Sequence, residues 1–260
     1  MKANGSPLII PFRSNHGNGY LLPFADGYIA VDPATVPMAR RMVAYVLRQA
    51  QHPSAIRIAC ATHTHAEHIG GMEELQRLTQ CEIHLHHQAR HMPRGAADRP
   101  HSRLQAMRRR VRSILLDPVS FLERAGEEQP AKASPAGPEG ERSWRFRVST
   151  WLQHGSTLPG GWTVLYTPGH TPDSICLYHR RGKVLIAGDT LTCQDDGLEL
   201  NPDASQEEVM DLTVRALHDL PVSTIYLGRG EPRVGSSVLR HALHKPPQNP
   251  VQRRIHSLLA

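Results

Sequence analysis

The chain has 260 residues, enough for one sizeable domain, and its 39% hydrophobic content excludes wholesale disorder. A formal charge of +6 favours anionic ligands, while 5% aromatic content and a basic run without interleaved aromatics argue against nucleic acid. No apolar run reaches the ~18 residues of a membrane span, and the opening MKANGSPLIIPF lacks a signal-peptide pattern, so a soluble, cytoplasmic chain without a membrane partner is expected.

Leu8–Phe12, Tyr20–Phe24 and Tyr28–Val31 read as short strands separated by Gly and Asp turns. Thr35–Gln51 places Met38, Met42, Val43, Val46 and Leu47 at helical spacing, with Thr35 as cap and Pro37 in the first turn. Ile56–Ala61 is a nearly continuous apolar strand. A His-rich loop, the pair Gly70-Gly71, a helix Met72–Leu78 and a strand Glu82–His86 follow. In the next stretch Leu104, Met107, Val111, Ile114 and Leu115 keep helical spacing, and Arg103, Arg108, Arg109, Arg110 and Arg112 surround them. Asp117-Pro118 reads as a helix start, and the Pro- and Gly-rich 126–142 stretch as a surface loop. Residues 91–145 are therefore expected to be a mostly helical insertion, too short and polar to hold its own core.

Strand patterns return at Trp162–Tyr166, Ile175–His179 and Val184–Ala187. A helix Ser205–Leu220, a strand Thr224–Leu227, a short helix Gly235–His244 and a tail after residue 245 complete the chain. The four cysteines, Cys60, Cys81, Cys176 and Cys193, form no C-x-x-C pair and are expected to be free thiols. The alternation of strands with helices suggests two sheets between helices.

The chemistry concentrates at three strand ends. His63-Thr64-His65-Ala66-Glu67-His68 directly follows a predicted strand, and in extended backbone residues two apart point to the same side. His63 and His65 can thus face one metal ion, and His68 can approach from beyond the turn. The paired glycines allow the backbone to pass close to a metal or ligand. Thr167-Pro168-Gly169-His170-Thr171-Pro172 carries one histidine in a turn after a second strand, and Gly188-Asp189 ends a third.

Together these residues resemble the metallo-β-lactamase superfamily, whose signature is H-x-H-x-D-H, a distant T-P-G-H-T-like turn, a G-D pair and a last histidine. The resemblance spans roughly residues 8–231 and implies an α/β fold, a four-layer αββα sandwich, in a domain of residues 1–245 that carries the insertion. It implies that His63, His65 and His170 hold a first metal and that Asp189 is the carboxylate shared with a second. It places positions 67, 68 and 229 as the second metal's own ligands. Two positions depart from the pattern. Glu67 stands where the family has aspartate, and Arg229 where it has the last histidine. Arginine has no free acceptor and stays charged, so it cannot be a ligand. The expectation is that its guanidinium replaces the second cation and pairs with Asp189 and Glu67.

The metal set expected is His63, His65, His68, His170 and Asp189, with Asp189, Glu67 and Arg229 in the catalytic machinery. The cofactor expected is Zn2+, one ion or two, with Fe2+ as the alternative. The reaction implied is hydrolysis of an ester, thioester or lactone in a small, anionic molecule by metal-activated water. Two alternatives stand beside it: a non-catalytic or weakly metal-binding ligand-binding module, and a mononuclear iron sulfur dioxygenase. His84, His86, His87 and His91, on a strand and its exit, and His241 and His244, on a late helix, read as incidental. Asp32, in Val31-Asp32-Pro33, reads as a support for the site.

Overall fold

The computed structural model describes residues 7–92, 144–194, 197–201, 207–235 and 239–240. Six strands form the first sheet, in spatial order β1 (Ile10–Arg13), β2 (Asn18–Phe24), β3 (Gly27–Val31), β4 (Ile56–Cys60), β5 (Glu82–His86) and β6 (Val148–Leu152). The first three run antiparallel, and β3 to β6 are parallel. The second sheet has the order β14 (Arg233–Val234), β13 (Thr224–Leu227), β10 (Val184–Gly188), β9 (Ile175–His179), β8 (Trp162–Tyr166) and β7 (Thr157–Leu158). A separate hairpin pairs β11 (Leu191–Gln194) with β12 (Gly197–Leu200).

The strand period of two sorts the side chains into layers. In β3, Ile29 and Val31 face the second sheet, where they meet Trp162, Val164, Ile175, Leu177 and Ile186. Ala30, between them, faces outward to the helices α1 (Val36–Arg48) and α3 (Met72–Thr79). Helix α1 presents Met38, Met42, Val43 and Val46, and α3 presents Met72 and Leu75. In β10 the alternation repeats, because Leu185 and Ala187 turn outward to Val214 and Leu217 of α4 (Glu207–His218). The result is the expected α/β sequence of layers: helix, sheet, sheet, helix. No helix among the described residues is long and apolar enough to cross a membrane. None of the four cysteines is in a disulfide.

Several boundaries differ from the sequence expectation. Strand β1 starts two residues later than the expected Leu8–Phe12 and ends one later, because Arg13 pairs with Asn18 across the Ser14–Gly17 turn. Thr35 caps α1 as expected, accepting from the Met38 N–H at 3.2 Å. The helix stops at Arg48 because Ala50 takes a left-handed φ of 54° and Gln51 N–H reaches back to the Val46 carbonyl, a Schellman ending without glycine. Strands β6, β7, β11, β12 and β14 extend the expected set. Of the short helix expected over residues 235–244, only Leu239 and Arg240 are described, and both are helical. Most of the 91–145 insertion, His241, His244 and the tail lie outside the described residues; His91 ends a short 3-10 turn.

Candidate metal centre

Strands β3, β4, β8, β10 and β13 all bring their C-terminal ends to one edge of the sandwich. Each tip contributes one part of the site. After β3, Asp32 adopts φ 48° and is fully buried. Its carboxylate accepts from the Thr62 N–H at 2.7 Å and the Thr62 hydroxyl at 2.8 Å. Its Oδ2 also lies 2.9 Å from His68 Nδ1. Asp32 thus locks the start of the His-rich loop and one ring that the loop carries, the supporting place expected of it.

After β4 the chain bends at Thr62 and His63, rather than continuing as the extended segment expected, is extended at His65, and then turns into α2 (Ala66–Ile69). His63 Nε2 and His65 Nδ1 face each other at 3.0 Å. The His170 ring centroid lies 4.8 Å from that of His63 and 5.0 Å from that of His65. One ring nitrogen from each of the three lies within 4.8 Å of the other two. A second set, His63, His68 and Asp189, meets the same limit. Zinc held about 2.0–2.1 Å from each nitrogen in a tetrahedral site sets its ligands about 3.3 Å apart, so the three-imidazole donor set fits such an ion.

Electrostatics divides the cluster. Burial, reinforced by the neighbouring His68, His65 and His170, holds His63 well below its ordinary value. Burial also lowers His65. Both are therefore neutral, the form that ligates metal. His68 behaves oppositely. Burial opposes its charge, but Asp32 and Asp189 on either side outweigh it and push the imidazole up to about 10. Its Nε2 stands 3.5 Å from Asp189 Oδ1. Burial would raise Asp189, yet His68 and then Arg229 hold it well below the carboxylate range, so it is ionised.

The two departures from the family pattern meet each other. Arg229 Nη2 donates to Glu67 Oε1 at 3.1 Å, and Nη1 donates to the His16 carbonyl at 2.5 Å. Its Nε lies 3.9 Å from Asp189 Oδ2. The guanidinium is held between the two carboxylates, closer to Glu67. Burial raises Glu67, but His68 and Arg229 together bring it below its ordinary value.

Gly228, just before Arg229, is needed for close approach, since a Cβ there would lie 2.1 Å from Asp189 Oδ1. The Gly70-Gly71 pair has a different role from the one expected. A Cβ at Gly71 would meet the backbone oxygens of Thr35 at 2.4 Å and Pro33 at 2.6 Å, and its N–H donates to Pro33. These glycines seat α2 and α3 against the Asp32 loop rather than opening room for a ligand. The structure adds residues that the sequence pattern does not single out. Asp173 accepts from Thr64, and the Asn201 side chain donates to the Asp189 carbonyl at 2.7 Å. His84, His86 and His87 join no three-ligand cluster among the described residues. His84 pairs with Glu82 at 2.9 Å, and His86 stacks on Tyr166 at 4.5 Å.

Residues 15–229 match the model of the metallo-beta-lactamase superfamily. The chain belongs to that superfamily. Among curated members it is 31% identical over 133 residues to "Probable metallo-hydrolase YflN" of Bacillus subtilis (strain 168), covering 50% of this chain and 42% of that protein. It is 29% identical over 154 residues to "Acyl-coenzyme A thioesterase MBLAC2" of Homo sapiens, covering 55% of this chain and 45% of that one. The chain therefore spans less than half the length of these curated relatives. Among solved superfamily structures, TTHA1623 in a di-iron-bound form superposes with a TM-score of 0.55 at 21% identity, over 87% of this chain and 94% of that one. That likeness shows the metallo-β-lactamase fold, with a His and Asp cluster suited to metal at its strand tips.

Proposed function

We propose that the protein is a single-metal hydrolase, cleaving an ester, thioester or lactone bond in a small anionic molecule. One observation carries the reading: three imidazoles converge on one point, while a guanidinium stands among the carboxylates beside it. His63, His65 and His170 would hold the ion, with zinc as the metal that suits three nitrogens and one open position. A bound ion supplies there a Lewis acid and a water of lowered pKa. Asp189, kept ionised by His68 and Arg229, would accept a hydrogen bond from the attacking water and take its proton. Arg229 would hold Asp189 and Glu67 in place and lend positive charge to the oxyanion that develops. Glu67 would fix the guanidinium, and His68 would keep Asp189 oriented through the Asp32 link.

The thioester option draws support from the named human relative, and the net charge of +6 supports an anionic substrate. A domain of residues 1–245 with an insertion at 91–145, a cytoplasmic location and the absence of nucleic-acid and membrane partners belong to the same reading. A second reading has its own support. His63, His68 and Asp189 form a two-histidine, one-carboxylate set of the kind that holds mononuclear iron, and iron occurs in this fold, though as a pair, in the di-iron-bound form of TTHA1623.

The test is elemental analysis of the purified chain with turnover assays on nitrophenyl esters, acyl-coenzyme A thioesters and lactones. One zinc per chain with hydrolysis supports the proposal. Absence of metal and of turnover would favour a ligand-binding module. Iron with oxygen consumption on a sulfur substrate would favour a dioxygenase.

A further inference from the structure

We propose that Asp173 is a positioning residue for the metal centre, fastening the loop that bears His63 and His65 to the loop that bears His170. The inference rests on the metal reading above. Asp173 is 1% exposed and lies three residues beyond His170. Its Oδ2 accepts from the Thr64 N–H at 3.0 Å and from the Thr64 hydroxyl at 2.7 Å. Thr64 separates His63 from His65, so fixing its backbone fixes the direction of both imidazoles. The turn that presents Asp173 is itself braced. The Thr171 N–H donates to Ser174 Oγ at 3.1 Å, and the two hydroxyls lie 2.7 Å apart. One further bond, Ile175 N–H to the Thr62 carbonyl at 2.8 Å, ties the same two loops. Three ligands from two distant segments are thereby tied together by the protein's own bonds.

Charge gives Asp173 a second contribution. A buried carboxylate is costly unless paired. Among the described residues Asp173 pairs with no cation, and its Oδ1 has no hydrogen-bond partner. An ion held by the three imidazoles would complement this anion, so Asp173 would favour metal through both geometry and charge.

Zinc competition titrations on the full chain, against a chelator of known affinity, test the proposal. Asp173→Ala should weaken zinc binding by about 10–100-fold, the usual cost of losing a partner that orients ligands. Asp173→Asn keeps an acceptor for Thr64 and removes the charge, so its loss should be smaller. Thr64→Val should show part of the Asp173→Ala loss, Thr64→Ser should keep wild-type affinity, and the Asp173→Ala/Thr64→Val double variant should be no weaker than Asp173→Ala alone. A second readout needs no metal. Amide hydrogen exchange at Thr64 in the metal-free chain should accelerate about tenfold in Asp173→Ala and stay unchanged in Thr64→Ser. Wild-type zinc affinity together with wild-type exchange in Asp173→Ala would overturn the proposal. A wild-type chain that binds no zinc would instead overturn the metal reading, and the exchange result would still decide whether Asp173 fastens the loops.

Discussion

The two halves of the site are made from the same strand tips, yet they handle charge in opposite ways. In one half, His63 is buried and His65 half-buried, both held neutral beside His170, with nitrogens directed at one another. In the other, three carboxylates, Asp32, Asp189 and Glu67, are met by two protein cations, His68 and Arg229. The first half offers lone pairs and suits an external cation. The second carries its own cations, so a further ion would have to displace a guanidinium. On the proposed function, one His replaced by Arg keeps one metal position and fills the other with a side chain.

The largest expected effect comes from breaking the first half. His170→Ala or His63→Ala should reduce metal affinity by more than the 10–100-fold typical of losing a ligand's hydrogen-bond partner. Turnover should fall to background, measured by elemental analysis and hydrolysis assays in parallel. Next is the seam between the halves. Gly228→Ala would place a methyl group 2.1 Å from Asp189 Oδ1, so the carboxylate or the 228 loop must shift. With the three imidazoles intact, metal should remain, and kcat should fall on the order of 100-fold, as for an ångström-scale misplacement. A result with metal lost and kcat per bound metal unchanged would assign Asp189 to binding rather than to proton transfer.

A constructive change sharpens the comparison further. Replacing both departures, Glu67→Asp with Arg229→His, removes the guanidinium and restores the family's donors. Metal content should rise from one ion to two per chain. A double variant that still holds one would mean that the Arg229 clamp is not what excludes the second ion.

The smallest effect lies away from the site and serves as a control for ion pairing at the surface. Glu74 on α3 pairs with Arg40 at 2.8 Å and Arg77 at 2.9 Å. Hydrogen bonds from Arg77 and Arg40 hold its carboxyl at about 2, below its ordinary 4.5. Because the folded value is depressed, the stabilisation is present above pH 4.5 and is lost as pH falls through about 2. Glu74 is itself 9% exposed but its two guanidiniums face solvent, so Glu74→Gln should lower Tm at neutral pH by about 4 °C. Thermal scans should show the gap to wild type closing as the pH approaches that lower value.

How much of this was legible in the sequence depends on whether the signal is local. Strand β4 followed by His63-Thr64-His65 is a contiguous pattern and is legible as such, although the bends at Thr62 and His63 mean that the loop's own bonds, not the period of extended backbone, turn the two imidazoles together. The Thr35 cap and the inward and outward sorting of Ile29, Ala30 and Val31 are legible in the same local way. The β11–β12 hairpin is not legible because four-residue strands such as LTCQ and GLEL are too short for alternation to stand out. The left-handed Ala50 that ends α1 is invisible because alanine has no preference for that conformation. Asp173 and Thr64 are 109 residues apart, and no local pattern links them. The Gly70-Gly71 pair is conspicuous, but the partner it approaches is the Pro33–Thr35 backbone, which only the tertiary structure reveals.

The central claim, one ion in the imidazole half and a guanidinium in the other, is tested most directly by anomalous diffraction from crystals of the metal-loaded chain. A single peak bonded to His63, His65 and His170, with Arg229 still on Glu67, is the expected result. Two peaks at the site, with Arg229 swung out to solvent, would contradict it.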